Sequence, residues 1–248
     1  MLRYFLVCSY LFAFWLKADD QLRFVVNDPG SSPYLFYDNA QKKYVGIIPE
    51  VLQGVTQLNI RFISNSRKRS EEYIYADKAD MIMLSKAWLK HPEKVIATIT
   101  IHQHRSFLYR TKEFPENFSL EKLHKTELVC TRKGYFYPTL KIYFDNKILE
   151  RVDSSSQISM MKMLLKKRCD YTAMSEFNAQ NVLRSSALKN KVIYRSKQPI
   201  SMVPLHIILR AEFAREKAIL DKHIRQLQES GEFTRILTKY VNTAMPND

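Results

Sequence analysis

Glycine is scarce in this chain, with five residues in 248. That scarcity excludes a glycine-rich phosphate loop and a collagen-like repeat, which both need glycine at fixed places. No self-similarity of solenoid period is present. The nucleophile elbow G-x-S-x-G, the metal helix H-E-x-x-H and the P-loop are all missing, so no familiar catalytic constellation announces itself. No cofactor-binding pattern appears, and none is expected. Cysteine is limited to Cys8, Cys130 and Cys169. Two or three cysteines cannot build a zinc site unaided, and no histidine pair at ligand spacing accompanies them.

What is present suits a folded domain. A hydrophobic fraction of 46% with 12% aromatics excludes a disordered chain. Residues 1–18 read as a secretion leader: Arg3 as a positive start, residues 4–16 almost wholly apolar, Ala18 before an acidic pair. The apolar run is shorter than the roughly 20 residues a spanning helix needs. Export to the periplasm follows, and it leaves Cys130 and Cys169 in an oxidising compartment, either as one disulfide or as two small buried hydrophobes.

Lysine and arginine outnumber aspartate and glutamate by 39 to 25, and the formal charge of +14 falls to +12 without Arg3 and Lys17. Such a surface favours anionic partners or membrane faces. The basic residues are spread along the chain, with triplets only at Arg67-Lys68-Arg69 and Lys166-Lys167-Arg168. With no nucleic-acid motif beside them, no nucleic-acid partner is expected.

The pattern along the chain is β-α-β-α-β: strands over 22–26, 58–63 and 81–84, with helices near 49–55 and 66–78 between them. A second α/β unit follows residue 110, with strands over 127–131, 148–152 and 170–174. Its helices begin near 135, 156 and 175. An apolar run over 202–209 then leads to two amphipathic helices, the last carrying Phe233, Ile236, Leu237 and Tyr240 at i, i+3, i+4 and i+7. These helices have no strands of their own, so they must return to the first unit. The resulting expectation is a discontinuous first lobe (19–104 and 204–248), a second lobe (110–200) and hinges near 105–109 and 201–203.

Aromatic and donor residues recur just past predicted strand ends, where an open α/β sheet presents its ligand site. They are Tyr34, Ser85, Trp88 and Lys94 in the first unit, and Tyr135, Phe136 and Ser175 in the second. Arg132 occupies a comparable position. Gly134, read as preceding a helix, offers free backbone N–H groups to an anion. Glu176 adds a carboxylate that would suit a general base or a helix N-terminus. His102 and His104 straddle Gln103 and share a strand face, but no acid or cysteine lies near them in sequence, so no metal site is expected.

Ser32-Pro33-Tyr34-Leu35-Phe36, Asp80-Met81-Ile82 with Glu93-Lys94, and Arg168-Cys169-Asp170-Tyr171 with Ser175 carry a resemblance. The tail residues Leu227, Ser230-Gly231-Glu232-Phe233 and Lys239-Tyr240 complete it. In order and spacing they resemble the bacterial extracellular solute-binding proteins of family 3, the type II periplasmic binding fold. The resemblance covers essentially all of the chain after the leader. It implies an α/β fold of two lobes, each a helix-covered sheet, joined by two hinge strands and closing on a small ligand. It also implies that Cys130 and Cys169 lie on or beside neighbouring core strands.

The resemblance further implies a monomer that captures its solute for an inner-membrane permease or sensor. Amino-acid binders of the family usually carry Glu-Arg where this chain has Glu93-Lys94, and an acid where it has Ser175. Those departures turn the expectation from a standard α-amino acid toward another small polar or anionic molecule, with Lys94 meeting its charge. The alternatives are a lyase or dehydratase on the same fold using Glu176 or Glu93 as base, and a ligand-presenting sensory module without transport.

Overall fold

Side chains alternate between the two faces of β1 (Leu22–Asp28), and both faces are buried: Phe24 and Val26 join one core, Val25 another. A strand covered on both sides is the mark of a sheet sandwiched by helices. The computed structural model describes residues 21–242 except 29, 124, 125 and 189. The expected secretion leader lies outside the described residues. No described helix is long and apolar enough to cross a membrane.

The elements after β1 are a small hairpin sheet of β2 (Gly30–Ser31), β3 (Leu35–Asp38) and β4 (Lys43–Val45), then α1 (Ile47–Gln53). Next come β5 (Ile60–Ser66), α2 (Arg67–Tyr75), β6 (Met81–Leu84), β7 (Val95–Ala97) and the long β8 (His102–Arg110). The second run is β9 (Glu127–Arg132), α3 (Pro138–Asp145), β10 (Leu149–Ser154), α4 (Gln157–Leu165), β11 (Tyr171–Ser175) and α5 (Glu176–Arg184). The chain closes with β12 (Tyr194–Arg195), β13 (Ser201–Arg210), α6 (Ala214–Glu229) and α7 (Glu232–Asn242).

The main sheet runs β10-β9-β11-β8-β13-β6-β1-β5. Its ends are parallel, β1 pairing with β5 and β6, and β9 with β10 and β11. Its middle is antiparallel. Residues His102 to Ser106 of β8 pair with Leu205 to Ser201 of β13, and Ser106 to Tyr109 of β8 then pair with β11. The far half of β13, His206 to Leu209, pairs with β6. Two adjacent, mutually bonded strands therefore connect a β5-β1-β6 half to a β11-β9-β10 half.

Each half has a core on both faces. On one side of the first, α1, α6 and α7 bring Ile47, Val51, Leu220, Ile224 and Ile236 against Phe24 and Val26. On the other, Ile74 of α2 meets Val25, Ile82 and Ile208. Phe24 is fully buried, so truncating it to alanine would cost about 3–5 kcal/mol. In the second half, Met160 and Leu164 of α4 and Val182 of α5 cover Cys130 and Met174, while Leu140 of α3 covers Val129 and Ala173. Cys130 and Cys169 are joined as a disulfide, with Cα atoms 5.7 Å apart.

Candidate functional site

The carboxyl ends of β1, β6, β9 and β11 converge on one cavity, bounded along its floor by β8 and β13. Its volume is about 90 Å³, room for roughly six to nine water-sized groups at 10–15 Å³ each. The first half supplies Asn27, Ser31, Tyr34, Arg67, Trp88 and His104; the second supplies Arg132, Tyr135, Phe136, Tyr137, Ser175 and Asn178.

Tyr34, Trp88 and His104 form one wall. Tyr34 Oη lies 3.4 Å from His104 Nδ1, and the indole meets the imidazole edge-on with ring centres 5.1 Å apart. Burial pushes the Tyr34 hydroxyl well above the usual phenol range and pushes the His104 pKa down to about 4. Near pH 7 both are neutral. The neighbouring His102 stacks on Phe177, with ring centres 5.0 Å apart. Among the described residues no group of three or more histidine, cysteine, aspartate or glutamate side chains is placed to hold a metal ion.

The opposite wall is built on the turn after β9. Arg132 is 6% exposed, and its guanidinium lies over the Tyr135 ring at 5.6 Å. Its backbone N–H donates to the buried Tyr137 hydroxyl at 2.9 Å. Across the cavity, Arg67 at the start of α2 is 8% exposed, and desolvation by burial lowers its pKa. The nearest carboxylate to Arg67 is Glu71, at 3.9 Å. Glu71 already accepts from Tyr75 Oη at 2.8 Å and from the Lys90 N–H at 2.5 Å. Arg132 has no carboxylate partner among the described residues.

The two halves touch across this cavity. Asn178 Nδ2 donates to the Ser32 carbonyl and, at 3.2 Å, to Ser31 Oγ. A Cβ placed on Gly134 would lie 3.9 Å from Arg67 Cβ and from the Lys68 nitrogen. These contacts join the two halves beside the cavity.

Of the residues expected from sequence to line a site, Tyr34, Trp88, Tyr135, Phe136 and Ser175 are brought together there. Four are not among its lining. Lys94 is exposed on a short turn with its Nζ 5.8 Å over the Tyr75 ring. Lys94 ends that turn, and the next residue, Val95, is the one that enters the core as β7 opens. Ser85 is buried, but its hydroxyl caps the turn at residues 86–88 by accepting from the Ala87 N–H at 3.3 Å.

Gly134 has φ of 79° and precedes no helix directly. Because α3 begins only at Pro138, the expected helix N-terminus at Gly134 does not exist. Glu176 is ion-paired on both oxygens, to Arg105 at 2.6 Å and Arg195 at 2.7 Å. Glu93, the other carboxylate considered as a base, also lies outside the lining and approaches His91 at 3.3 Å.

Sequence reasoning did not assign Arg67, His104, Tyr137 and Asn178 to the site. Arg67 carried a signal nonetheless: Arg67, Ser70, Glu71 and Ile74 are the buried residues of α2, spaced i, i+3, i+4 and i+7. That is one helical face, made mostly of polar side chains.

No protein-family model matches the chain, and no curated protein sequence does. Solved structures do. A histidine kinase sensor domain with similarity to periplasmic binding proteins is 16% identical over 92% of this chain and 98% of its own, with a TM-score of 0.74. An amino-acid ABC transporter substrate-binding protein from Streptococcus pneumoniae, bound to L-arginine, is 13% identical over 92% and 97%, with a TM-score of 0.71. An ancestral amino-acid-binding protein, a precursor of cyclohexadienyl dehydratase, is 14% identical over 90% and 95%, with a TM-score of 0.68. At such identities the likeness is one of fold, and the fold is the two-lobed α/β architecture of the periplasmic binding proteins.

Proposed function

We propose that this protein is an exported solute-binding protein that captures a small polar or anionic molecule between two lobes by hinge closure. The first lobe comprises residues 19–104 and 204–248, the second 110–200, and the hinges lie near 105–109 and 201–203. The observation that carries the reading is the cavity itself, lined from both halves of the sheet and bridged by Asn178 where β8 and β13 join the halves. A binding role suits it better than turnover, because the carboxylates available as bases, Glu176 and Glu93, lie elsewhere. Delivery to an inner-membrane permease is the partner role supported by the likeness to a transporter-associated protein. The likeness to a kinase sensor domain favours a second reading, in which the closed form is presented to a membrane sensor.

A thermal-shift screen of the leaderless chain against organic acids, amino acids and oligosaccharides tests the reading. A ligand specific for the native state present at 100 times its Kd adds about 2.7 kcal/mol. Small-angle scattering should then show compaction with that ligand. A ligand that stabilises the chain equally after Trp88→Ala and Asn178→Ala would place binding elsewhere and end the interlobe reading.

A further inference from the structure

Three properties of the cavity constrain its occupant beyond "small and polar". Arg67 and Arg132 enter from opposite halves, are more than nine-tenths buried, and have between them one carboxylate contact, at 3.9 Å. A desolvated guanidinium without a close counter-ion is costly. Among the described residues no aspartate or glutamate lines the cavity, and the imidazole of His104 in it stays neutral near pH 7. The remaining walls are largely aromatic, with Tyr34, Trp88, Tyr135, Phe136 and Tyr137.

We propose that the cavity selects a small organic carboxylate that carries no ammonium group, gripped between Arg67 and Arg132 with its apolar body against the aromatic walls. This rests on the interlobe binding reading and names the ligand class for it. A guanidinium offers a planar fork that matches a carboxylate, so one from each lobe makes the anion a bridge across the cleft. An α-ammonium would enter beside two buried cations with no carboxylate to receive it, which is a term against every α-amino acid. Aromatic walls alone would also suit a quaternary ammonium; the two arginines exclude it on the same ground. Asn27, which lines the cavity, has a buried Oδ1 with no hydrogen-bond partner. It is an acceptor available to a ligand hydroxyl, so 2-hydroxy acids fit best within the class.

The test is calorimetric titration of the leaderless chain with matched compounds: 4-methylpentanoate, 2-hydroxy-4-methylpentanoate, L-leucine, 3-phenyllactate, L-phenylalanine and glycine betaine. The deaminated acids should bind at least about tenfold tighter than their amino-acid partners, a difference of about 1.4 kcal/mol. Arg67→Gln and Arg132→Gln should each weaken binding by at least about tenfold, the scale of a charge-assisted hydrogen bond. Arg67→Lys should recover part of that loss, and melting curves of the ligand-free variants establish that they fold.

Equal or tighter binding of an amino acid or of betaine overturns the ligand class and leaves the interlobe reading standing, provided scattering shows closure. Binding of an acid that neither arginine variant weakens also overturns it. Binding of an acid without closure counts against the interlobe reading instead. No binding by any compound of the series overturns the carboxylate assignment.

Discussion

Two sets of arginines stand in contrast in this molecule: one is answered closely by carboxylates, and the other, Arg67 and Arg132, faces the cavity. Near the edge of the first half, Asp80 accepts from the Arg23 N–H at 2.7 Å and from its guanidinium at 2.7 and 2.8 Å, and lies 3.3 Å from Arg210. These contacts hold the Asp80 carboxyl below the usual carboxylate range against the opposing pull of its burial. At the junction of the halves, Glu176 holds Arg105 and Arg195. In the cavity, Arg67 and Arg132 are more than nine-tenths buried, yet the nearest carboxylate, that of Glu71 beside Arg67, has other partners. The contrast teaches that a cation supports the fold where its counter-ion is built in. Where the counter-ion is missing, the cation is available to something that arrives.

Four measurements would break or sharpen that contrast. The largest effect should come from Asp80→Ala, which strips Arg23 of its carboxylate partner and leaves Arg210 with Asp77 and Glu212. Urea unfolding should show a loss of about 3–5 kcal/mol, toward the lower end because Arg23 is partly solvated. A loss under about 1 kcal/mol would place Asp80 with the dispensable surface pairs.

Next is the group that avoids becoming a third cavity cation. His104 has a folded pKa of about 4, below its unfolded value of about 6.5. Between these values the unfolded chain binds the proton more readily, so stability falls as pH drops from 6.5 toward 4 and levels off below. The His104 share of that fall is of the order of 2–3 kcal/mol. His104→Gln should flatten the profile relative to the parent, and an unchanged profile would mean that the imidazole is solvated.

A smaller loss should follow Glu176→Gln. Its partners are nearly half exposed, so about 1–2 kcal/mol is expected in thermal melts, shrinking in high salt. The smallest effect should be that of Arg132→Met in the ligand-free protein. Removing a buried cation that lacks a carboxylate should change stability by less than about 1 kcal/mol, in the stabilising direction. A loss comparable to that of Asp80→Ala would dissolve the distinction between the groups.

The fold was largely readable because its strands are short apolar runs closed by polar turns, and because the final helices show a clean apolar stripe with no strand to cover. The candidate site was readable only where aromatics followed strands, as at Tyr34, Trp88 and Tyr135. Lys94 misled because its position in the chain resembles a ligand site, whereas it ends a short exposed turn just before Val95 enters the core. Gly134 misled because Pro138, four residues on, is where the helix can begin. Arg67 sat in plain view within a basic triplet, but a periodicity search that weighs only apolar residues passes over a buried face made of Arg67, Ser70 and Glu71.

The bridge made by Asn178 has a consequence for how this chain can change over time. Its amide donates to the carbonyl oxygen of Ser32, a main-chain atom. Substitution of the residue 32 side chain leaves that acceptor in place as long as the local backbone path survives. Of this bond between the halves, then, only position 178 is directly exposed to mutation. Cavity-lining side chains of the first half can change while that contact between the halves is kept.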